Sequence, residues 1–366
     1  MGFLMSRVGR YLIARTLSGV FIAAAVVLIS ILLIDLVEQL RSVGQRIDLS
    51  PWEAVRLTLF KTPMLIEQTL PFVVLAGTMI AMIGLNRSSE LVALRAAGVS
   101  AWRFLAPPAF VGIVLGVIVI TSLNPFGSWL YQNFQQERAD LLTDARAAPT
   151  PHGVWIRQGD DNGQTVIHAE SVDSTGTKLH NASLMKFQVR DGTLRIESRM
   201  RAAEAELRPG FWQLSNVLEA TPGAAPQREA HLAIPTNLDS SELVDRFVAP
   251  ATLSFWALPG FIREAKRAGF APTRYELKLQ GLLAYPFMLA AMAGLGAVFS
   301  LRLQRLGNLA QWGAAGVGLG LFLFFYSQLA GAFAITQAVP PVVAAWSAPL
   351  AGVFVALAMV AFLEDG

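Results

Sequence analysis

Six stretches of the chain are apolar around every helical face, and one long stretch between the third and the fourth is not. Positions 12–36, 63–85, 104–123, 277–301, 310–335 and 340–363 are mostly apolar, each near the length of about 20 residues that crosses a hydrocarbon core. They predict six transmembrane helices. Positions 128–267 are polar, turn-rich and too long for a connecting loop. Within them Val154-Trp155-Ile156-Arg157 is rich in strand formers and Leu194-Arg195-Ile196 alternates with period two. Gly159-Asp160-Asp161-Asn162-Gly163, Asp191-Gly192 and Pro209-Gly210 are turn signals between such runs. The expected organisation is a membrane half over 1–127, a small all-β domain with helical connectors (140–146 and 261–267) over 128–267, and a second membrane half over 268–366.

Composition narrows the class. Hydrophobic residues make up 54% of the chain and charged residues 15%, against roughly 25% charged in a soluble domain. The mean hydropathy is +0.48, which excludes an ordinary water-soluble fold. The net charge of +3 fits the basic loops of a membrane protein rather than a nucleic-acid surface. The chain has no cysteine, so disulfides, thiolate metal sites and cysteine nucleophiles are excluded. Its four histidines (His152, His168, His180, His231) fall in the polar middle, at spacings that match no helical metal motif. Arg7, Arg10 and Arg15 precede the first apolar stretch as in a signal peptide. That stretch, however, runs on into Asp35, Glu38 and Arg41 without a small-residue cleavage site, which predicts a retained first span.

Charge sets an orientation. Arg7, Arg10 and Arg15, then Arg87, Arg95 and Arg103, then Arg302 and Arg305 share one side of a six-span chain. The positive-inside rule makes that side cytoplasmic, with both ends of the chain. Arg41, Arg46, Arg56 and Lys61 conflict with the rule on the opposite side.

Candidate chemistry is sparse. There is no G-x-x-x-x-G-K-[ST] phosphate loop and no G-x-S-x-G elbow. Asp35, Glu38 and Glu67 lie near the ends of spans, so no mid-membrane carboxylate points to a secondary transporter or an intramembrane aspartyl protease. Gly112-x-x-x-Gly116 and Gly316-x-x-x-Gly320 suit close helix packing, within the chain or with a partner. Trp129 and Trp256 suit an interfacial belt. The loop between the second and third spans predicts a short amphipathic helix at about 87–99. Ser88 or Ser89 is its N-cap, Glu90 sits in its first turn, Leu91, Leu94 and Arg95 follow at helical spacing, and Gly98 stops it. Two readings stand: a capped surface helix, or a helix that docks on a cytoplasmic partner.

Ser89-Glu90-Leu91-Val92-Ala93-Leu94-Arg95-Ala96-Ala97-Gly98-Val99-Ser100 resembles the cytoplasmic coupling segment of the lipopolysaccharide export permeases, the LptF/LptG family. The run from Leu277 to Phe287 (LKLQGLLAYPF) and the ending Pro340-Pro341-Val342-Val343-Ala344-Ala345-Trp346 are similar too, and the C-terminal half looks more like the G-type subunit. The resemblance implies an α-helical membrane protein with six transmembrane helices and an inserted periplasmic β-jellyroll in the bacterial inner membrane. It implies a heterodimer with an F-type permease, a cytoplasmic LptB-type ATPase dimer, a single-span LptC-type periplasmic protein, and lipopolysaccharide as cargo. The F-type paralogue and a non-transporting scaffold that couples an ATPase to a periplasmic partner are the alternatives. The chain itself is then no enzyme and carries no cofactor, ATP and magnesium being bound by the partner. Carried onto this sequence, the coupling residues are Glu90, Leu91, Leu94, Arg95 and Gly98. Arg41, Arg46 and Lys61 are the candidates for lipid phosphates, with interfacial snorkelling as the other reading. Where some members carry lysine near the end of the first span, this chain has Asp35. The first and fifth spans line a lipid cavity in such permeases, which makes Leu32, Leu36, Phe322 and Phe325 its candidates here, and the β-domain would offer an apolar interior to acyl chains.

Overall fold

The computed structural model describes residues 6–42, 50–144, 154–160, 163–172, 178–190, 193–208, 210–220, 226–236, 249–267, 271–302 and 309–364. It divides into two compact units, one helical and one mostly β.

In the helical unit, six helices among the described residues are long and apolar enough to cross a membrane. They are α1 (Arg7–Ser42), α2 (Pro51–Arg87), α4 (Ala101–Ile118) with its continuation, α7 (Thr273–Arg302), α8 (Leu309–Ile335) and α9 (Pro341–Glu364), with the short α3 (Glu90–Ala96) between α2 and α4. α1 has 36 residues, about 54 Å of helix, so it extends beyond a hydrocarbon core of about 30 Å. α2 begins at Pro51, well before the apolar run at 63, because a capping box starts it there. The Ser50 hydroxyl accepts from the Glu53 amide at 3.3 Å, and the Glu53 carboxylate accepts from the Ser50 amide at 2.9 Å. Pro63 and Pro71 lie inside this helix.

The third span also outruns its apolar stretch. α4 passes through a π-helical turn, Val119–Leu123, into α5 (Asn124–Asp144). The helical unit therefore extends past position 127, where the polar composition had suggested that the insert begins. α5 is helical because it packs along α2. Phe134 is buried on that side, and Arg56 of α2 forms an ion pair with Glu137.

α7 is the hub of the bundle. Of its most apolar stretch 78% is buried, against 17% in α1 and in α8. Two glycines bring α4 onto it. A Cβ on Gly112 would lie 2.6 Å from the Leu289 carbonyl oxygen, and one on Gly116 would lie 2.4 Å from the Pro286 Cα. The first glycine motif thus serves packing within the chain. In the second, Gly316 lies under the Phe299 ring and Gly320 under Leu75. Gly112→Ala is expected to cost about 1–3 kcal/mol through overpacking. Gly84→Ala, whose Cβ would meet nothing, is expected to be neutral or stabilising by up to about 1 kcal/mol. Thermal unfolding of the two variants in one detergent checks the difference.

Among the described residues the β unit holds seven antiparallel strands, β1 (Val154–Asp160), β2 (Gly163–Ala169), β3 (Ser171–Val172), β4 (Lys178–Arg190), β5 (Thr193–Arg208), β6 (Phe211–Ala220) and β7 (Gln227–Pro235). The order is β1-β2-β4-β5-β6-β7, with β3 beside β4. Asp160 pairs with Gly163, Arg190 with Thr193 and Arg208 with Phe211, so three hairpins close where the turn signals lie. The sheet is folded along one row of residues. Asn181, Ala203 and Asn216 lie opposite one another, skipped by the ladder, and both asparagines have positive φ (50° and 53°). Across that row the buried positions step by three instead of two: Leu179 to Ala182, Ala202 to Ala205, Leu214 to Val217. An odd step turns a strand's other face inward, and the bend compensates, so one apolar core with Trp212 and Ile167 is kept on both sides. α6 (Leu258–Arg267) belongs to this unit and buries Leu258, Phe261, Ile262 and Ala265, the one-face spacing of an amphipathic helix.

Candidate functional site

Three polar constellations stand out in the helical unit. The first surrounds α3. The chain leaves α2 through Ser89 in the left-handed region (φ 60°), forms seven helical residues, and turns out through Gly98 at φ 81°. Gly98 stops the helix as its position suggests. Neither serine caps it in the expected way: Ser89 makes no side-chain cap bond, and the Ser88 hydroxyl instead donates to Glu90 Oε1 at 2.8 Å.

Leu91 is 1% exposed and sits in a core with Leu12, Met82, Leu85, Ala101 and Phe104, with Leu94 packed against it. Leu91 therefore anchors α3 to its own bundle rather than offering a surface. Arg95 is half-buried, while Val92, Ala93 and Ala96 face outward.

Glu90 is held from the first helix. Tyr11 Oη donates to Glu90 Oε2 at 2.5 Å, Arg15 Nε donates to Tyr11 Oη at 3.0 Å, and Arg15 Nη2 stands 3.7 Å from Glu90 Oε1. The Arg15 guanidinium also lies 5.5 Å from the Tyr11 ring centre, within cation–π range. The Tyr11 hydroxyl first, then Ser88 and the Arg15 charge, hold the Glu90 carboxyl below the usual carboxylate range. A depressed value means that the ionised contact is present at neutral pH and is lost only as pH falls through it. Tyr11 had no sequence signal of its own. Arg15 had one, its helical i, i+4 spacing from Tyr11.

The second constellation lies toward the other end of α1. Lys61 Nζ is 2.6 Å from Asp35 Oδ1, and Gln39 Nε2 donates to Asp35 Oδ2 at 3.3 Å. Asp35 is 6% exposed. Of the four basic residues in conflict with the positive-inside rule, Arg56 and Lys61 are thus balanced by carboxylates of the chain itself. Arg41 is exposed at the end of α1, and Arg46 lies outside the described residues.

The third is a cavity of about 400 Å³ lined by Glu67, Gln68, Lys278, Tyr285, Phe324 and Gln328, among others. Asn124, placed just after the π-helical turn, donates to Glu67 Oε2 at 3.0 Å, and Tyr285 Oη donates to the Glu67 carbonyl at 2.5 Å. Lys278 is the opposite charge acting on Glu67. The sequence placed Lys278 and Tyr285 on one face of α7, seven residues apart, but offered nothing to link them to Glu67.

The apolar candidates divide between two helices. Leu32 and Leu36 are half-buried on α1, and Phe322 and Phe325 are exposed on α8. α1 packs on α2 and α4, while α8 packs on α9, α7 and α2.

Among the described residues the chain combines six helices able to span a membrane, a β insert after the third and an anchored short helix after the second. The model of the lipopolysaccharide export system permease LptF/LptG matches residues 10–361. The chain belongs to the LptF/LptG family. Its relatives are of the G type. The lipopolysaccharide export system permease protein LptG of Haemophilus influenzae is 24% identical over 347 residues, which cover 93% of this chain and 94% of that protein. LptG of Escherichia coli K12 is 23% identical over 322 residues, 86% of each. The LptF/LptG match spans both membrane halves and the insert. As an LptG-like permease the chain is a multi-pass membrane protein.

Proposed function

We propose that this chain is the G-type permease subunit of an ATP-driven exporter in a Gram-negative inner membrane, which takes up lipopolysaccharide and passes it toward the outer membrane. The observation that carries this reading is Glu90, ionised and part-exposed at the start of a helix whose Leu91 is sunk in the bundle. Such a carboxylate offers charge-assisted hydrogen bonds to a docking protein, and the rigid seat of α3 passes force inward. The chain has no phosphate loop, as suits a machine whose ATP and magnesium sit in a separate LptB-type dimer. Arg95 and Gly98 complete the coupling segment, the one as a second polar contact and the other as its exit turn.

An F-type permease completes the membrane cavity. The apolar faces of α1 and α8, with the half-buried Leu32 and Leu36 and the exposed Phe322 and Phe325, line the chain's share of it, and Arg41 and Arg46 meet the lipid phosphates. Lys61 contributes to that surface only as far as Asp35 releases it. The ends of the chain are cytoplasmic by the positive-inside rule, and the β unit is periplasmic, where an LptC-type protein receives the lipid. Purification from native membranes in mild detergent tests this. A second six-span permease and a P-loop ATPase are expected with the wild type, and the ATPase is expected to fall on the order of tenfold with Glu90→Ala. Recovery of this chain alone would refute the exporter.

A further inference from the structure

The Glu90 carboxylate takes three side-chain contacts, and two of them come from α1 rather than from α3 or its neighbours in sequence. Tyr11 is 79 positions away. The helix that offers these groups is an uninterrupted rod: α1 runs 36 residues without a proline, whereas α2, the direct chain connection to α3, carries Pro63 and Pro71. Proline removes a helical hydrogen bond and bends the helix, so α2 absorbs a displacement that α1 carries through. Over its most apolar stretch α1 is also little buried, so its outer face is free of packing within this chain.

The two helices touch backbone to backbone at one crossing. A Cβ on Gly19 would lie 2.2 Å from the Gly77 carbonyl oxygen, and one on Gly77 would lie 2.4 Å from the Val20 Cα. Gly19 is eight residues from Tyr11 and 16 from Asp35. At 1.5 Å per residue these arms are about 12 Å and 24 Å. Beyond the crossing, α1 is tied to α2 again by Lys61 on Asp35, and the flexible stem of a lysine follows a moving carboxylate.

We propose that Tyr11 and Arg15 are positioning residues that latch Glu90 to α1, so that a force on α3 swings α1 about the Gly19–Gly77 crossing and moves its far end about twice as far. This rests on the exporter reading, in which a nucleotide-driven partner supplies the force. Tyr11 and Arg15 act through Glu90 and need no contact with ATPase or lipid. The far end carries Leu32, Leu36 and Arg41, so the latch ties nucleotide closure to the shape of the lipid site.

The absence of cysteine makes the test direct. Val37→Cys near the far end of α1 and Val342→Cys at the start of α9, both exposed, take spin labels in the purified complex in nanodiscs, with cysteine-free partners. The distance between the labels is measured by electron paramagnetic resonance without nucleotide and with ATP and vanadate. A nucleotide-dependent shift is expected with Tyr11 in place. It is expected to vanish in Tyr11→Phe, which keeps the ring and removes only the donor, while the ATPase still co-purifies. Arg15→Gln weakens the same latch and serves if Tyr11→Phe fails to assemble. In a Glu90→Ala background, which leaves Tyr11 no acceptor, and with the ATPase in excess, Tyr11→Phe is expected to add nothing, as befits a group acting through Glu90. A shift that survives both latch variants, no shift in a wild-type complex that binds ATPase, or additive effects of Tyr11→Phe and Glu90→Ala would overturn the latch while leaving the exporter standing. A wild-type chain that recruits no ATPase would overturn both.

Discussion

A chain carrying Glu90→Lys is expected to reach the membrane, keep its bundle and lose lipid export by a factor on the order of tenfold to a hundredfold. The bundle survives because α3 is anchored by Leu91 in a core that includes Leu12, Met82 and Phe104, none of which the substitution touches. Export fails for two additive reasons. On the inner side, Tyr11 and Ser88 each lose their acceptor, and a second cation is set beside Arg15. On the outer side, the sign of the docking group is reversed, and like charges across an interface reject a partner as firmly as opposite ones select it. ATP-dependent release of lipopolysaccharide from proteoliposomes to a soluble acceptor measures the loss. Glu90→Gln, which keeps an acceptor for Tyr11, is expected to fall between. Equal release from Glu90→Lys and wild type would remove Glu90 from the mechanism.

The second large effect concerns stability. Lys61→Ala removes the ammonium from a carboxylate that is only 6% exposed. Breaking a buried pair on one side costs about 3–5 kcal/mol, because the surviving charge is left uncompensated. The Lys61 side chain is 27% exposed, so water reaches the pair, and a value near the lower end, about 3 kcal/mol, is expected. Asp35→Asn with Lys61→Met removes both charges and keeps much of the volume, and it is expected to restore most of the loss. Denaturant unfolding of the three proteins in one detergent decides. A single variant no less stable than the double would mean that Asp35 finds water in place of Lys61. The pair also bears on the proposed lipid site. Lys61 is an Asp35 partner before it is a phosphate ligand, and any lipid phosphate at this end competes with a carboxylate already seated.

Asp35 shows how far sequence reading reaches. On its own it reads as an acid near the end of the first span, where the resemblance led one to expect a lysine in some members. Beside Lys61 of the next helix it is half of a clasp. The same holds for Glu90, whose place at the head of a short helix was legible from the loop around it, with Gly98 as the stop. Its hold by Tyr11 was not. Leu91 was placed among the coupling residues by resemblance, and its helical spacing from Leu94 and Arg95 does not tell the inner face of a surface helix from the outer one. The polar composition of 128–144 suggested the start of the insert. Packing on α2, with Phe134 inside and Arg56 paired to Glu137, keeps the segment helical and in the membrane unit. In the sheet, period two marked the strands and turn residues marked the hairpins, but the row Asn181, Ala203 and Asn216, where the alternation slips and the sheet bends, belongs to three strands at once.

The six spans and the all-β character of the insert were determined by the sequence alone. Lipid leaves a backbone no partner outside its own segment, so each crossing must be a continuous apolar helix and is written as one. A strand's alternation is likewise a local period. The Glu90 latch, the Asp35–Lys61 clasp, the Gly19–Gly77 crossing and the Glu67 cavity were decided only by the tertiary structure. Each joins groups 26 to 218 positions apart, and which of them meet depends on where two helices cross and how each is rotated, which is set by the packing of the whole bundle.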